Sequence, residues 1–154
     1  MEVPMPGTYS QLLLHVVFST KHRTPWITDD LSRELYSYIG GVIRGEKGTL
    51  FEIGGVDDHV HLYLRWRTDG AISNLMRAVK ANSSKWIHDK FPMLKDFAWQ
   101  EGYAVFSVSK SQEVAVKRYI ANQREHHRTV DFKAELLKLL HAHDIEFDER
   151  YVFD

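Results

Sequence analysis

The chain has no cysteine, which removes disulfides and thiolate ligands together, so any bound metal must be held by imidazole, carboxylate or amide groups. It also has no apolar run approaching the ~20 residues of a membrane span, and residues 1–7 show no signal-peptide pattern. The expectation is a cytoplasmic protein with no membrane partner. Repeats, low-complexity stretches and internal linkers are absent too. The 154 residues therefore read as one domain over 1–154, with a core over about 8–128 and a C-terminal helix and acidic tail over about 129–154. A strong charge of one sign is missing as well, because the formal net charge is −1. That balance hides an asymmetry. Residues 144–154 hold five acids and one base, and without them 19 basic residues face 16 acidic ones. Between Arg77 and Arg128 ten Lys or Arg accompany five Asp or Glu, a local basic stripe of the kind a phosphate backbone needs.

What is present is an alternation of strand and helix signals. Residues 9–20 read as a largely buried first strand, followed by a basic loop over 21–26. Thr28 is a plausible N-cap for a helix whose apolar stripe runs Leu31, Leu35, Ile39 and Val42, with Gly45 and Gly48 ending it. A second strand over 50–56 turns at Asp57-Asp58 into a third over 59–66, a connection so short that the pair must be antiparallel. Asp69-Gly70 opens a long second helix that Phe91-Pro92 stops. Residues 97–108 read as a fourth strand bent at Gly102. Ser109 or Ser111 caps a third helix running to about His126, and a fourth spans about 131–143. The fold class is α+β: a ferredoxin-like (RRM-like) antiparallel sheet in the order β-α-β-β-α-β with additional C-terminal helices.

The third strand carries the first chemical signal. In Asp58-His59-Val60-His61-Leu62-Tyr63-Leu64, period 2 puts His59, His61 and Tyr63 on one face and Val60, Leu62 and Leu64 on the other. The apolar side is expected to face the two helices, leaving the imidazoles on the open face, where the third helix could dock. Side-by-side neutral imidazoles can ligate a divalent ion; equally, they can be two polar residues on an exposed sheet. A third histidine would resemble the HIT nucleotide hydrolases, but the chain has Tyr63 there. The second signal is Tyr119 with Gln123, whose spacing of four places phenol and amide on one helix face. A tyrosine can attack phosphorus and an amide oxygen suits a hard cation, whereas the plain alternative is a surface helix with a half-buried tyrosine.

In order and at this length, Asp58-His59-Val60-His61-Leu62 followed by Arg118-Tyr119-Ile120-Ala121-Asn122-Gln123 resembles the single-tyrosine HUH transposases. These serve the smallest insertion sequences and include the related REP-associated tyrosine transposases; U denotes a hydrophobic residue, here Val60. The likeness extends over residues 15–21, 57–64, 99–108 and the tail 145–153. The resemblance implies that His59, His61 and Gln123 hold Mg²⁺ or Mn²⁺. It implies that Tyr119 attacks a phosphodiester in single-stranded DNA, forming a 5′-phosphotyrosine and releasing a 3′-hydroxyl. It implies strand exchange without a nucleotide cofactor, DNA ends that form hairpins, and a homodimer in which the tyrosine helix often completes the partner's site. The second helix and the extra C-terminal helix with its acidic tail lengthen the chain beyond the smallest members.

Other residues take lesser roles in this reading. Arg65, Arg67, Lys80, Lys85, Lys117 and Arg118 are candidate phosphate contacts, each also readable as a solvated charge. Trp66, Trp86 and Trp99 could stack on bases, with core or dimer packing as the alternative. His126 and His127 are expected beyond the tyrosine-helix face, at the surface or near DNA, and His141 and His143 receive no role. Two rival functions stand beside the transposase. One is an HUH nicking protein of replication-initiator or relaxase type. The other is a non-catalytic single-stranded nucleic-acid-binding module.

Overall fold

Alternation along one strand, β3 (His59–Trp66), divides the molecule into two unlike halves. The computed structural model describes residues 7–153, so the reading of residues 1–7 lies outside them save for Gly7. The other elements are β1 (Leu12–Ser19), α1 (Asp29–Gly45), β2 (Thr49–Gly55), α2 (Ile72–Lys90), β4 (Ala104–Ser107), α3 (Glu113–Ala121), α4 (Gln123–His126) and α5 (Phe132–Ala142). The sheet order is β2-β3-β1-β4, all neighbours antiparallel, which is the ferredoxin-like arrangement. β3 is therefore an interior strand. Val60, Leu62 and Leu64 join Val16 and Phe18 of β1 beneath Leu35, Ile39 and Ile43 of α1 and Leu75, Met76 and Val79 of α2. Each such fully buried side chain contributes roughly 1.5–3 kcal/mol. Trp66 and Trp99 belong to this core, and Trp86 stacks on Tyr38 with ring centroids 4.9 Å apart.

Local rules explain the helix ends. The Thr28 hydroxyl accepts from the Leu31 N–H at 3.2 Å, with Asp29 and Asp30 in the first turn of α1. At the other end the left-handed residue is Lys47 (φ 67°), and the Gly48 N–H returns to the Ile43 carbonyl at 2.9 Å. Gly45 is the last helical residue rather than the terminator. α2 ends at Lys90, before Phe91-Pro92, as its sequence predicts.

Two expectations need correction. The fourth strand does not begin at residue 97: only Ala104–Ser107 pairs with β1, preceded by a single bridge between Thr20 and Trp99. The Lys80 ammonium donates to the carbonyls of Gln100 (2.8 Å), Glu101 (3.1 Å) and Gly102, drawing those oxygens towards α2 and away from any strand partner. Nor is the third helix continuous to His126. It breaks at Asn122 (φ −99°, ψ 20°), and α4 sets off anew from Gln123.

The face opposite α1 and α2 is covered in two parts. α3 lies over β2 and β3, so close that a Cβ at Gly54 would meet the Ile120 carbonyl oxygen at 2.3 Å. Glycine is required there by the approach of one backbone to another. The Tyr63 hydroxyl donates to Glu113 at 2.7 Å and pins the start of α3 to the sheet. α5 covers the β1–β4 side, packing Phe132, Leu136 and Leu140 against Val17 and Phe106. Its N-cap is Asp131, whose carboxylate accepts from the Ala134 N–H at 2.8 Å.

Candidate active site

His59 and His61 point between α3 and α5, and both are fully buried. Each imidazole is held from behind. The His59 Nδ1–H donates to Asp58 at 2.7 Å, and His61 Nδ1 shares a hydrogen bond with His15 Nε2 at 2.7 Å. His15 comes from β1, opposite Tyr63 and diagonal to His61, which is how two strands set one ring. With both Nδ1 atoms engaged, both Nε2 atoms face the same small space. Such rear hydrogen bonds fix tautomer and ring orientation at metal-binding histidines.

Five further groups converge there. Gln123 places its amide oxygen 3.0 Å from His59 Nε2. Glu135, from the first turn of α5, sets Oε1 2.9 Å from His61 Nε2 and 3.3 Å from His59 Nε2. Its Oε2 accepts from the Tyr119 hydroxyl and from the Gln123 amide at 3.1 Å. The Tyr119 ring stands edge-on to His61 of the same chain, centroids 5.6 Å apart. The structure thus brings Tyr119, Gln123, His59 and His61 together within one chain.

The last two members are His126 and His127, whose Nε2 atoms lie 3.2 Å and 3.1 Å from the Glu135 carboxylate. Both nitrogens are buried and neither makes a hydrogen bond. The expectation of a surface position is therefore corrected. The break at Asn122 turns the chain, and α4 brings both rings back over the sheet instead of out along the α3 axis. Glu135 was not anticipated at all. Its signal was available: it occupies an apolar stripe with Phe132, Leu136 and Leu140, where a carboxylate is out of place unless it has partners. In the sequence His15 is one more strand residue, with no spacing that links it to His61.

The electrostatics follow from this crowding. Burial favours a neutral His59, yet its bonds to Asp58 and Glu135 outweigh burial and raise it to about 9. Burial dominates at His61 and His15, which fall to about 4 and about 3. Burial would raise the Glu135 carboxyl, but the imidazoles of His127, His59 and His61 crowded against it hold it far below the usual range. Burial and the adjacent Glu135 carboxylate push the Tyr119 phenol well above its ordinary value, so the hydroxyl is protonated and donates. His59 Nε2 meets two acceptor oxygens, of Gln123 and Glu135, so a positive charge is needed at that point. A proton supplies it here, and a divalent cation fits the same donor set of imidazole, amide and carboxylate.

A groove of about 650 Å³ opens beside the cluster, lined by His127, Phe132, Asp29, Asp57, Asp58 and Asp131 together with Arg124 and Arg128, the two arginines being paired with Asp29 and Glu125. The remaining candidate cations lie elsewhere. Lys117 and Arg118 flank Tyr119 on α3, and Lys117 sits over the Phe51 ring. Arg65 and Arg67 lie at and beyond the far end of β3, bonded to Thr49 and Asp69. α2 puts Lys80 and Lys85 across the sheet, where Lys85 pairs with Asp89 at 2.8 Å.

Comparison with known proteins gives a consistent picture. Residues 8–123 match the family model described as Transposase IS200 like. The ISDra2 transposase TnpA of Deinococcus radiodurans is 23% identical over 124 residues, covering 77% of this chain and 89% of that protein. The transposase for insertion sequence element IS200 of Salmonella typhimurium is 26% identical over 117 residues, covering 72% and 76%. Among solved structures, a D. radiodurans R1 protein assigned as a transposase superposes with a TM-score of 0.66 at 25% identity, over 80% of this chain and 98% of that one. A REP-associated tyrosine transposase bound to a REP hairpin superposes with a TM-score of 0.60 over 96% and 93%; at 15% identity it shows the fold.

Proposed function

The chain belongs to the IS200-like transposase family, and on that premise we propose that it cleaves and rejoins single-stranded DNA with Tyr119 as the nucleophile. The observation that carries the reading is one of convergence. Tyr119 and Gln123, one helical turn apart, reach the same buried point as the two Nε2 atoms of His59 and His61. A purely binding module needs no such set.

In the proposed reaction the Tyr119 oxygen attacks phosphorus, the Tyr–phosphorus bond forms, and the bond to the 3′-oxygen breaks. The 5′-phosphate stays on the tyrosine and the 3′-oxygen leaves as a hydroxyl after taking up a proton. The proton lost by the phenol balances the one taken up by the 3′-oxygen, and Glu135 Oε2, which accepts the phenol's hydrogen bond, orients that hydroxyl. His59, His61 and Gln123 would hold Mg²⁺ or Mn²⁺, which when bound polarises the phosphate and draws charge from it. Asp58 and His15 keep the two imidazoles turned inward. Local opening at α4 or α5 must accompany entry of the strand, since both imidazoles are fully buried.

The proposed partner is single-stranded DNA carrying hairpin ends, the kind of end for which the REP-associated relative, bound to a REP hairpin, is a precedent. A homodimer is the proposed assembly, although one chain carries every group of the set. The test uses end-labelled, hairpin-bearing single strands with Mg²⁺ or Mn²⁺ and looks for a covalent adduct. The wild type is expected to retain the 5′ side of the cleaved strand on Tyr119, and Tyr119→Phe to lower adduct formation at least about a thousandfold, the scale of losing a covalent nucleophile. Binding of hairpins without any adduct would favour the non-catalytic module. An adduct formed equally by Tyr119→Phe would remove the nucleophile assignment.

A further inference from the structure

We propose that His127 and Glu135, which follow the region matching the family model, are themselves metal ligands. With His59 and His61 they make a cage of three imidazoles and one carboxylate that selects a transition-metal ion over Mg²⁺. The proposal rests on the reading of His59 and His61 as metal-binding and extends it to the C-terminal segment.

The geometry points there from three sides. First, one ligand atom from each of His59, His61, His127 and Glu135 lies within 4.8 Å of every other, the spread of a single coordination sphere. Second, one oxygen, Glu135 Oε1, faces three imidazole nitrogens at 2.9, 3.1 and 3.3 Å. Each ring can donate to it only as an Nε2–H, and one oxygen has two lone pairs for three such nitrogens, so the His127 Nε2 is left without a hydrogen bond. A central cation takes lone pairs from all three rings and the carboxylate and removes the conflict. Third, the His127 side chain is 7% exposed, and its Nε2 is buried without a hydrogen bond. An unbonded nitrogen aimed into a polar cluster is poised to donate a lone pair.

The donor count then decides the ion. His59, His61 and Gln123 alone offer two nitrogens and a hard oxygen, with open positions suited to Mg²⁺. Adding His127 and Glu135 brings a third imidazole, and nitrogen-rich sites favour Co²⁺ and Zn²⁺, with Mn²⁺ weaker and Mg²⁺ weakest. Glu135 also divides its oxygens: Oε1 faces the imidazole cage while Oε2 receives the Tyr119 hydroxyl. His126 faces Oε2 and stands outside the cage.

The test is metal binding by the chelator-stripped full chain, using the metals alone. Calorimetry and visible absorbance with Co²⁺ are expected to show one site, bound far more tightly than Mg²⁺. Glu135→Gln and His127→Asn, each verified by circular dichroism, are expected to weaken Co²⁺ by about 10–100-fold and to change its visible spectrum. Wild-type affinity and spectrum in both variants, with binding lost in His59→Ala, would overturn the proposal and leave the His59, His61 and Gln123 site standing. Equal Co²⁺ binding by wild type and His59→Ala would overturn both readings. A measurement on the wild type avoids reliance on variants: imidazole ¹⁵N spectra with Zn²⁺ should show the Nε2 resonances of His59, His61 and His127 shifting together. A His127 ring that ignores Zn²⁺ while His59 and His61 respond would refute the cage.

Discussion

One face of the sheet is held by shape alone and the other by shape and direction together. Towards α1 and α2, Val16, Phe18, Val60, Leu62 and Leu64 meet an apolar layer whose attraction is non-directional and tolerates small shifts. Towards α3, α4 and α5, the same two strands bury His15, Ser19, His59 and His61, with buried Gln123 and Glu135 set against the imidazoles of β3. Burying six polar groups is stabilising only if each finds its partner in the right geometry. A chain with a full apolar core on one side does not need such a set for stability. The contrast teaches where to look for function, because locally costly arrangements in an otherwise consistent fold mark working sites.

The comparison can be broken most forcefully with neighbours on β3. Leu62→Ala is expected to lower unfolding free energy by about 2–5 kcal/mol in urea denaturation, the cost of a buried cavity. His61→Ala, one residue away but on the other face, is expected to cost less stability than that while eliminating adduct formation on single-stranded DNA. Equal destabilisation by the two, with activity lost in proportion, would mean that the imidazole face is only a second core. The next test strikes the docking of the tyrosine helix. Gly54→Ala puts a methyl group where the Ile120 carbonyl stands and is expected to cost about 1–3 kcal/mol by overpacking. It should also depress adduct formation beyond its effect on stability, since α3 carries Tyr119. The smallest effect is expected at the start of α5. Asp131→Ala removes a cap worth about 1 kcal/mol and should lower the melting temperature slightly, with Co²⁺ affinity falling as Glu135 loses its fixed position.

How much of this was legible in the sequence depended on range. Period 2 along β3 is a local property, and it correctly assigned Val60, Leu62 and Leu64 to the helices and the imidazoles to the open face. The Thr28 cap and the stripe of α1 were equally local. The fourth strand was read too long because its apolar content continues through residues 97–103, whereas Lys80, about twenty residues earlier, claims the carbonyls that would have paired. Glu135, His126 and His127 were lost for a similar reason. Their convergence depends on a turn at Asn122 and on how α5 lies across β1, neither of which a periodicity reports. The carboxylate inside an apolar stripe was the one local sign of a buried polar partner.

In the proposed site the imidazole face of the sheet holds a cation beside Tyr119. Crystals of the full chain soaked in Mn²⁺, with anomalous differences recorded near the manganese edge, test it most directly. One strong peak is expected, bounded by the Nε2 atoms of His59 and His61 and next to the Tyr119 hydroxyl. A map with manganese bound elsewhere, and no peak between those two imidazoles, would contradict it.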